Sequence, residues 1–446
     1  MFDVLRERDF RLLFTGQTIS LIGSSITTIA LAFAVLEISH DSSTAVGIVM
    51  AAGLVPLVAF LLIGGVWADR LPRQWVMLIS DVVRFACQAV MAWLVITHRA
   101  TIAELVVLQF VRGTAEAFFR PAQAGLVPQT VSADRLQQAN ALRGLTESLG
   151  VTMGAALGGV LVAAVHPGWA IGIDSLTYLV SAGFLWGLRG LVSVHASPSV
   201  LPFAAESGGM AALGGGVVTA PQSEPGDSGF LSDLREGWDE FRARTWLWVM
   251  VCEAMVFHLV IIAPFMVLGP EIARQELGGA AAWGAILAAL GVGQVIGGAV
   301  GLRLQPARPL LLCGWLTLLE VPLFAFLALG YGTSALIVAA AVCGISAALV
   351  NVLWETTLQE QIPAEALSRV SAFDLMGSLA FYPLGMAVAG PIAAVIGVAG
   401  SFALAGGATV ASAALQILLP DIRGVRRRGP TPADPQTGLP VSSHSR

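Results

Sequence analysis

The sequence predicts an all-α integral membrane protein whose twelve transmembrane helices form two pseudo-symmetric six-helix bundles. Charged residues make up only 12% of its 446 residues and hydrophobic residues 56%, whereas soluble proteins are about 25% charged. The chain also holds twelve apolar runs of the length that a membrane helix needs, about 20 residues. This composition excludes a soluble enzyme and a disordered chain. The net charge of −5 leaves no basic surface for nucleic acid.

The twelve predicted spans follow from hydropathy, because a backbone in hydrocarbon must satisfy its hydrogen bonds within a helix. They cover residues 11–37, 43–68, 75–97, 101–120, 139–165, 168–189, 246–268, 280–301, 309–329, 333–354, 370–395 and 398–419. The first is too long for the core of a signal peptide, so we expect it to remain as a span. All 24 basic residues are arginines, and only Arg99 and Arg274 fall in segments predicted to face outward. Both termini are therefore predicted to be cytoplasmic.

The composition divides the chain into four parts. Residues 1–190 hold the first six-helix bundle and residues 246–420 the second. Residues 191–245 form a predicted cytoplasmic linker, loose and rich in Gly, Ala, Pro and Ser at its start and amphipathic from Phe230 onward. The amphipathic pattern fits equally a helix on the inner membrane surface and a soluble helix packed against the bundle. Residues 421–446 are predicted to be a disordered cytoplasmic tail.

The two halves repeat the same motifs after equivalent spans. Residues 64–74 (GGVWADRLPRQ) follow the second span, and the similar residues 297–308 (GGAVGLRLQPAR) follow the eighth. Residues 120–136 after the fourth span are likewise similar to residues 354–370 after the tenth. Duplicated six-span halves are typical of secondary transporters, in which two rigid bodies rock about a central site and give alternating access.

Four segments resemble the major facilitator superfamily. Residues 65–73 (GVWADRLPR) are similar to its motif between spans two and three, and residues 150–159 (GVTMGAALGG) to its antiporter motif, with Ala155 in place of Pro. Residues 10–25 and 113–128 resemble the bacterial branch that exports siderophores of the enterobactin type and macrolides. The resemblance implies the twelve-helix fold of that superfamily, an export function and a bacterial cytoplasmic membrane.

A conformational switch is predicted from eight residues of these motifs. They are Gly65, Asp69, Arg70, Arg73, Gly150, Gly154, Gly158 and Gly159. We expect the charged ones to form a cytoplasmic gate whose ion pairs hold the halves together in the outward-facing state. We expect the span-five glycines to pack tightly against the other half, because small residues let helices approach closely. For the charged residues, the alternative is a static ion pair that only neutralises charges at helix ends. For the glycines, the alternative is ordinary packing of small residues.

Charged residues inside spans are candidates for proton coupling, because each is expensive in hydrocarbon. The candidates are Glu116, Arg112, Glu147, Glu253 and His258. Spacings of three and four residues predict the ion pairs Asp81–Arg84, Arg112–Glu116 and Arg143–Glu147. Glu116 is the first choice for the proton carrier, since movement of Arg112 could change its protonation. A permanent structural pair of the two is the alternative, as is polar packing for Glu253 and His258.

A substrate cavity is predicted from polar and aromatic residues on spans that line such cavities in the superfamily. These residues are Gln17, Asn351, Trp354, Phe373, Phe381 and Tyr382. An apolar, aromatic lining with few acids suits a bulky amphipathic small molecule such as a drug, macrolide or siderophore.

The sequence contains no nucleotide-binding or hydrolase motif, and its cysteines lack the spacing of a metal site. We therefore expect no enzyme activity, no cofactor and no bound metal, with energy taken from the proton gradient. We also expect a monomer in the lipid bilayer, with a small-molecule substrate and no nucleic-acid partner. A lysophospholipid flippase or facilitative carrier of the same fold is one alternative, and a non-transporting membrane sensor or scaffold is another.

Overall fold

The computed structural model describes residues 2–132, 135–188, 238–239 and 241–427. A short 3-10 helix, Phe2–Arg6, precedes the six helices of the N-terminal half. These are α1 (Arg8–Ile38), α2 (Ser43–Arg70), α3 (Arg73–Ile96), α4 (Ile102–Thr130), α5 (Leu136–Ala164) and α6 (Pro167–Trp186). Their order matches the six spans that hydropathy predicts.

The C-terminal half repeats this arrangement. Its first four helices are α7 (Thr245–Leu277), α8 (Ala280–Gly301), α9 (Pro309–Ala328) and α10 (Thr333–Gln361). Helix α11 runs over Ala364–Ala380 and continues, after a break at Phe381, over residues 382–396; α12 covers residues 398–418. Gly397 separates α11 from α12 with φ 78° and ψ 161°, a backbone conformation that glycine adopts far more readily than other residues.

Ten helical stretches of the described residues are long and apolar enough to cross a membrane. One of them, Met376–Leu418, contains the break at Gly397 and so includes both α11 and α12. Helix α4 is not among the ten, because Arg112, Glu116 and Arg120 interrupt its apolar sequence. The helices are consistent with the twelve predicted spans, and the predicted all-α membrane fold is confirmed.

Several helices extend beyond the predicted spans. Helix α4 continues to Thr130 and α10 to Gln361, so the repeated motifs that follow the fourth and tenth spans begin as helix and not as loop. A helix satisfies its backbone hydrogen bonds in water as well as in lipid. Hydropathy therefore marks the part of a helix that lies in the bilayer and not the end of the helix.

The two halves contact each other at one end of the molecule, which we call the distal end because it lies opposite the first and last described residues, Phe2 and Arg427. Within the N-terminal half α2 packs on α4 and α6 on both α1 and α3, and within the C-terminal half α8 packs on α10. Between the halves α5 packs on α8, and α2 packs on α11. At the distal end of the α2–α11 contact, Gly390 lies directly against the backbone of Thr44.

The predicted linker and tail lie mostly outside the described residues. Of the amphipathic segment that starts at Phe230, the structure describes Trp238 and Phe241 among others. Their ring centroids lie 5.6 Å and 6.0 Å from that of Phe373 in α11. These contacts support the interpretation in which the segment packs against the bundle.

Candidate functional site

A group of charged residues joins α3 to α4 inside the N-terminal half. Asp81 and Arg84 are paired and buried, with side-chain exposures of 0% and 5%. The Glu116 carboxylate accepts hydrogen bonds from Arg112 Nη1 at 3.2 Å and from Arg120 Nη2 at 2.9 Å. Arg84 Nη1 lies 3.9 Å from Glu116 Oε2 and links the two pairs. We call these five residues the Glu116 cluster; both pairs that helical spacing predicts are formed in it.

Aromatic side chains hold the Glu116 cluster in place. The Arg84 guanidinium lies 3.9 Å from the ring centroid of Phe119 and 4.6 Å from that of Tyr178, distances at which a cation is attracted to a ring face. The Tyr178 hydroxyl hydrogen bonds with Ser24 Oγ at 2.8 Å. The cluster therefore ties α1, α3, α4 and α6 into one body.

In the C-terminal half, Glu253 of α7 faces α12. Its carboxylate accepts hydrogen bonds from the Ser412 hydroxyl and from Gln416 Nε2. Its second oxygen, Oε2, is buried without a hydrogen-bond partner among the described residues. The two donors that the structure gives for Glu253 are thus neutral, in contrast to the three arginines around Glu116.

His258 lies on the same helix but on another side. It belongs to a π-helical stretch, Phe257–Ile262, that interrupts α7; such insertions occur frequently at functional sites. Its Nδ1 is 2.8 Å from the Ala254 carbonyl, and its ring centroid is 5.5 Å from that of Tyr382 in α11. His258 and the predicted cavity residue Tyr382 are therefore brought together, whereas Glu253 is not part of that contact.

An ion pair connects the halves at the distal end. Arg274 Nε, near the end of α7, lies 3.1 Å from Asp41 Oδ1 in the α1–α2 loop. Nearby, a Cβ added to Gly159 of α5 would lie 2.6 Å from the Ala280 carbonyl and 2.7 Å from Gly284 Cα of α8. The backbones of α5 and α8 therefore touch, and the distal end is tightly packed.

The prediction that the whole span-five glycine face contacts the other half is wrong. Gly150, Gly154 and Gly158 pack against α1 of their own half, where Gly154 faces Ser25. Only Gly159 among these glycines meets α8. Residues four apart share one helix face, and that face is turned towards α1; Gly159, one residue further, lies about 100° around the helix.

The loop motif makes a contact within its own half. Arg73 Nη1 donates a hydrogen bond to the Gly125 carbonyl of α4 at 2.6 Å, and the guanidinium fills the space that a Cβ at Gly125 would need. Arg70 is exposed, while the side chains of Gly65 and Asp69 lie outside the described part of the structure. Further along, the predicted pair of Arg143 and Glu147 is formed at 3.7 Å.

The six predicted cavity residues have different surroundings in the structure. Gln17 of α1 accepts a hydrogen bond from Gln123 of α4 at 2.7 Å, and Asn351 is half-buried on α10. Phe381 is exposed at the break in α11.

Trp354 and Phe373 pack in one hydrophobic cluster with Phe241. Trp238 also contacts Phe373. In this conformation Phe373 therefore packs against aromatic residues of the predicted linker, and its role in a substrate cavity stays a prediction.

A model of the Major Facilitator Superfamily matches residues 13–374, more than half of the chain. This chain belongs to the Major Facilitator Superfamily. It is 25% identical to the enterobactin exporter EntS of Citrobacter koseri over 435 residues, which cover 95% of this chain and 94% of that exporter. It is 22% identical to macrolide efflux protein A of Streptococcus pyogenes over 430 residues, covering 93% of this chain and 96% of that protein.

Solved superfamily structures share the fold. The nucleoside transporter NupG matches with a TM-score of 0.67 at 13% identity, over 92% of this chain and 98% of NupG. A bacterial homologue of the human lysosomal transporter Spinster, in an inward-facing and unoccupied conformation, matches with a TM-score of 0.61 at 14% identity, over 95% and 98% of the two chains. The protein is a multi-pass membrane transporter of this superfamily and not an enzyme.

Two acidic residues with polar contacts between helices, Asp374 and Asp41, were not among the predicted site residues. Trp354 Nε1 donates a hydrogen bond to Asp374 Oδ2 of α11 at 3.1 Å, and Asp41 pairs with Arg274 across the halves. The sequence could have indicated a role for Arg274, because it is one of only two arginines in segments predicted to face outward. Its partner could not be predicted, since nothing in the sequence places the α1–α2 loop beside the end of α7.

Proposed function

We propose that this superfamily member is a proton-coupled exporter of a bulky amphipathic small molecule, such as a drug, macrolide or siderophore. Its similarity over nearly the whole chain to an enterobactin exporter and to a macrolide efflux protein supports export. The arginine distribution supports a bacterial cytoplasmic membrane with both termini inside. The protein acts as a monomer in the bilayer and takes its energy from the proton gradient.

The observation that carries the proposal is the closed contact between the halves at the distal end. With the termini inside, the distal end faces outward, so the Asp41–Arg274 pair and the Gly159–Gly284 contact close the outer side. Alternating access requires the two halves to separate there while they approach each other at the opposite end of the molecule, which we call the terminal end. An exporter in this state takes up its substrate from the cytoplasmic side.

Proton exchange requires a carboxyl group that is stable in its surroundings both when protonated and when ionised. Glu116 is the counter-ion of Arg84, Arg112 and Arg120, so its protonation would remove a negative charge that three arginines share and is unfavourable. Glu253 contacts the neutral donors Ser412 and Gln416. The geometry favours Glu253 for proton exchange and Glu116 for the switch of ion pairs.

Helix α7 offers a direct mechanical connection from Glu253 to the contact between the halves. Glu253 lies near the start of α7 and Arg274 near its end, where it binds Asp41 of the other half. The π-helical stretch Phe257–Ile262 lies between them. A change of charge at Glu253 that rotates or shifts this stretch would alter the position of Arg274.

The test is transport into proteoliposomes with a radiolabelled macrolide and radiolabelled enterobactin as substrates. We expect uphill transport driven by an imposed pH gradient in the wild type, and loss of it in Glu253→Gln. Exchange of labelled for unlabelled substrate without a gradient should persist in this variant, because exchange needs no net proton movement. Glu104→Gln, which alters an exposed carboxylate in the first turn of α4, is the control and should keep both activities.

Each alternative function predicts a different result. A facilitative carrier or flippase would move substrate downhill in the wild type and show no accumulation with the gradient. A sensor or scaffold would show neither accumulation nor exchange. Full uphill transport by Glu253→Gln would exclude Glu253 as the proton carrier.

A further inference from the structure

Three side chains of metal-ligand type meet at the distal end of the N-terminal half. Glu37 lies in the last turn of α1, His98 in the loop between α3 and α4, and His166 at the start of α6. One ligand atom from each lies within 4.8 Å of those from the other two. We call these residues the distal triad; they come from three separate segments of the chain and no sequence motif connects them.

We propose that the distal triad binds a divalent transition-metal ion of the zinc class. Imidazole nitrogen and carboxylate oxygen together suit zinc better than magnesium or calcium, which prefer oxygen ligands alone. Two histidines and one glutamate form a three-ligand set that leaves a fourth position for water. All three side chains reach the surface, so an ion can enter directly from solution.

The geometry of His166 is the main support. Its Nε2 is buried and has no hydrogen-bond partner among the described residues, although it lies 3.5 Å from Glu37 Oε1. The ring of His98 approaches that of His166 edge to face, with centroids 5.1 Å apart and planes at 77°. A buried nitrogen without a partner, beside a carboxylate and a second imidazole, is the arrangement that an ion of this size would complete.

Metal binding would require one local change. His166 Nδ1 accepts a hydrogen bond from the Gly168 N–H at 3.2 Å, so in the neutral ring the proton is on Nε2. Binding through Nε2 moves this proton to Nδ1 and releases the Gly168 N–H, which belongs to the first turn of α6 and can bond water instead. The proposal therefore predicts a change of tautomer at His166 when the ion binds.

The test is titration of the full-length protein in detergent, without a histidine tag and after chelator treatment, with Zn²⁺ followed by calorimetry. We expect one equivalent to bind, with an affinity at least about tenfold weaker in His98→Gln and in Glu37→Gln. His40→Gln is the matched control, because His40 is an exposed distal histidine with the same φ of 53° outside the triad. Its affinity should equal that of the wild type.

The proposal would be overturned by the absence of saturable Zn²⁺ binding in the wild type, or by an unchanged affinity in His98→Gln. An equal loss in His40→Gln would assign the ion to surface histidines in general and would also overturn it. Because Glu37 and His98 are exposed, we expect both variants to fold, which unchanged thermal unfolding without metal would verify. The titration uses no substrate and no pH gradient, so its outcome is independent of the proposed transport function.

Discussion

At the residue scale, the structure distinguishes two kinds of partly buried carboxylate inside the helix bundles. Glu116 is surrounded by arginines from α3 and α4, while Glu253 is bound by a hydroxyl and an amide of α12. The pairs within one helix were predictable, because helix geometry places residues three and four apart on one face. The contact of Arg84 with Glu116 and the distal triad were not, since they depend on which helices and loops are neighbours.

Glu116→Gln should lower the free energy of unfolding by about 2 kcal/mol, because it weakens the charge-assisted hydrogen bonds that this partly buried carboxylate accepts from Arg112 and Arg120. Thermal unfolding in detergent measures this. Glu147→Gln is the matched control, since Glu147 lies 3.7 Å from Arg143 and is 28% exposed; its expected loss is below about 1 kcal/mol. Equal stability of the two variants would mean that the Glu116 cluster does not stabilise the N-terminal half.

At the scale of the element, hydropathy predicted the number and order of the helices but neither their ends nor the faces on which they pack. The GxxxG pattern of α5 predicted a close helix contact, and the structure has one, but with α1 in place of the other half. The spacing of the glycines shows that they share one face of the helix, but it does not show which helix packs against that face. The π-helical stretch Phe257–Ile262 of α7 had no recognisable signal, because most of its residues are as apolar as their neighbours.

Gly154→Ala and Gly159→Ala should act differently, although the residues lie in the same helix. A Cβ at Gly154 meets Ser25 within the N-terminal half, whereas a Cβ at Gly159 meets the backbone of α8. We therefore expect Gly154→Ala to lower the free energy of unfolding by about 1–3 kcal/mol, because the added methyl group overpacks the contact. Gly159→Ala should keep the stability of the half and favour separation of the distal end.

Gly183→Ala is the control for both variants, because a Cβ there would meet open space. Thermal unfolding compares the stabilities of the variants, and spin-label distances across the distal end show whether that end has opened. Gly154→Ala with wild-type stability, or Gly159→Ala with an unchanged distal distance, would contradict the assignment of these two contacts.

At the scale of the whole molecule, the repeated motifs predicted two similar halves, and the structure shows where they meet. The Asp41–Arg274 pair is partly exposed, with side-chain exposures of 40% and 35%. Such pairs contribute about 0.5 kcal/mol, which is enough to bias a two-state equilibrium about twofold but not to lock it. A weak distal contact is what a transporter that must open on each cycle requires.

Arg274→Gln should therefore shift the population towards an open distal end by about twofold. Asp41→Asn should have the same effect, and the double variant should add little, because each single variant already removes the shared interaction. Spin-label distances across the distal end measure the populations. Additive effects in the double variant would show that the two residues act independently of each other.

The central claim is that the two halves rock so that one end opens as the other closes. It is tested most directly by electron–electron double resonance in nanodiscs, on chains whose four native cysteines are replaced. One label pair, at Arg99 and Ser334, spans the distal end; a second, at Gln129 and Gln359, spans the terminal end; all four positions are exposed. Labels at Arg99 and Gln129 follow the distal and terminal ends of the N-terminal half and serve as the control.

We predict that a change from alkaline to acidic buffer, or the Arg274→Gln substitution, changes the two distances reciprocally. Whenever the distal distance lengthens, the terminal distance should shorten, while the control distance within the N-terminal half stays constant. Distances that stay fixed under every condition, or two ends that open together, would contradict alternating access by these two halves.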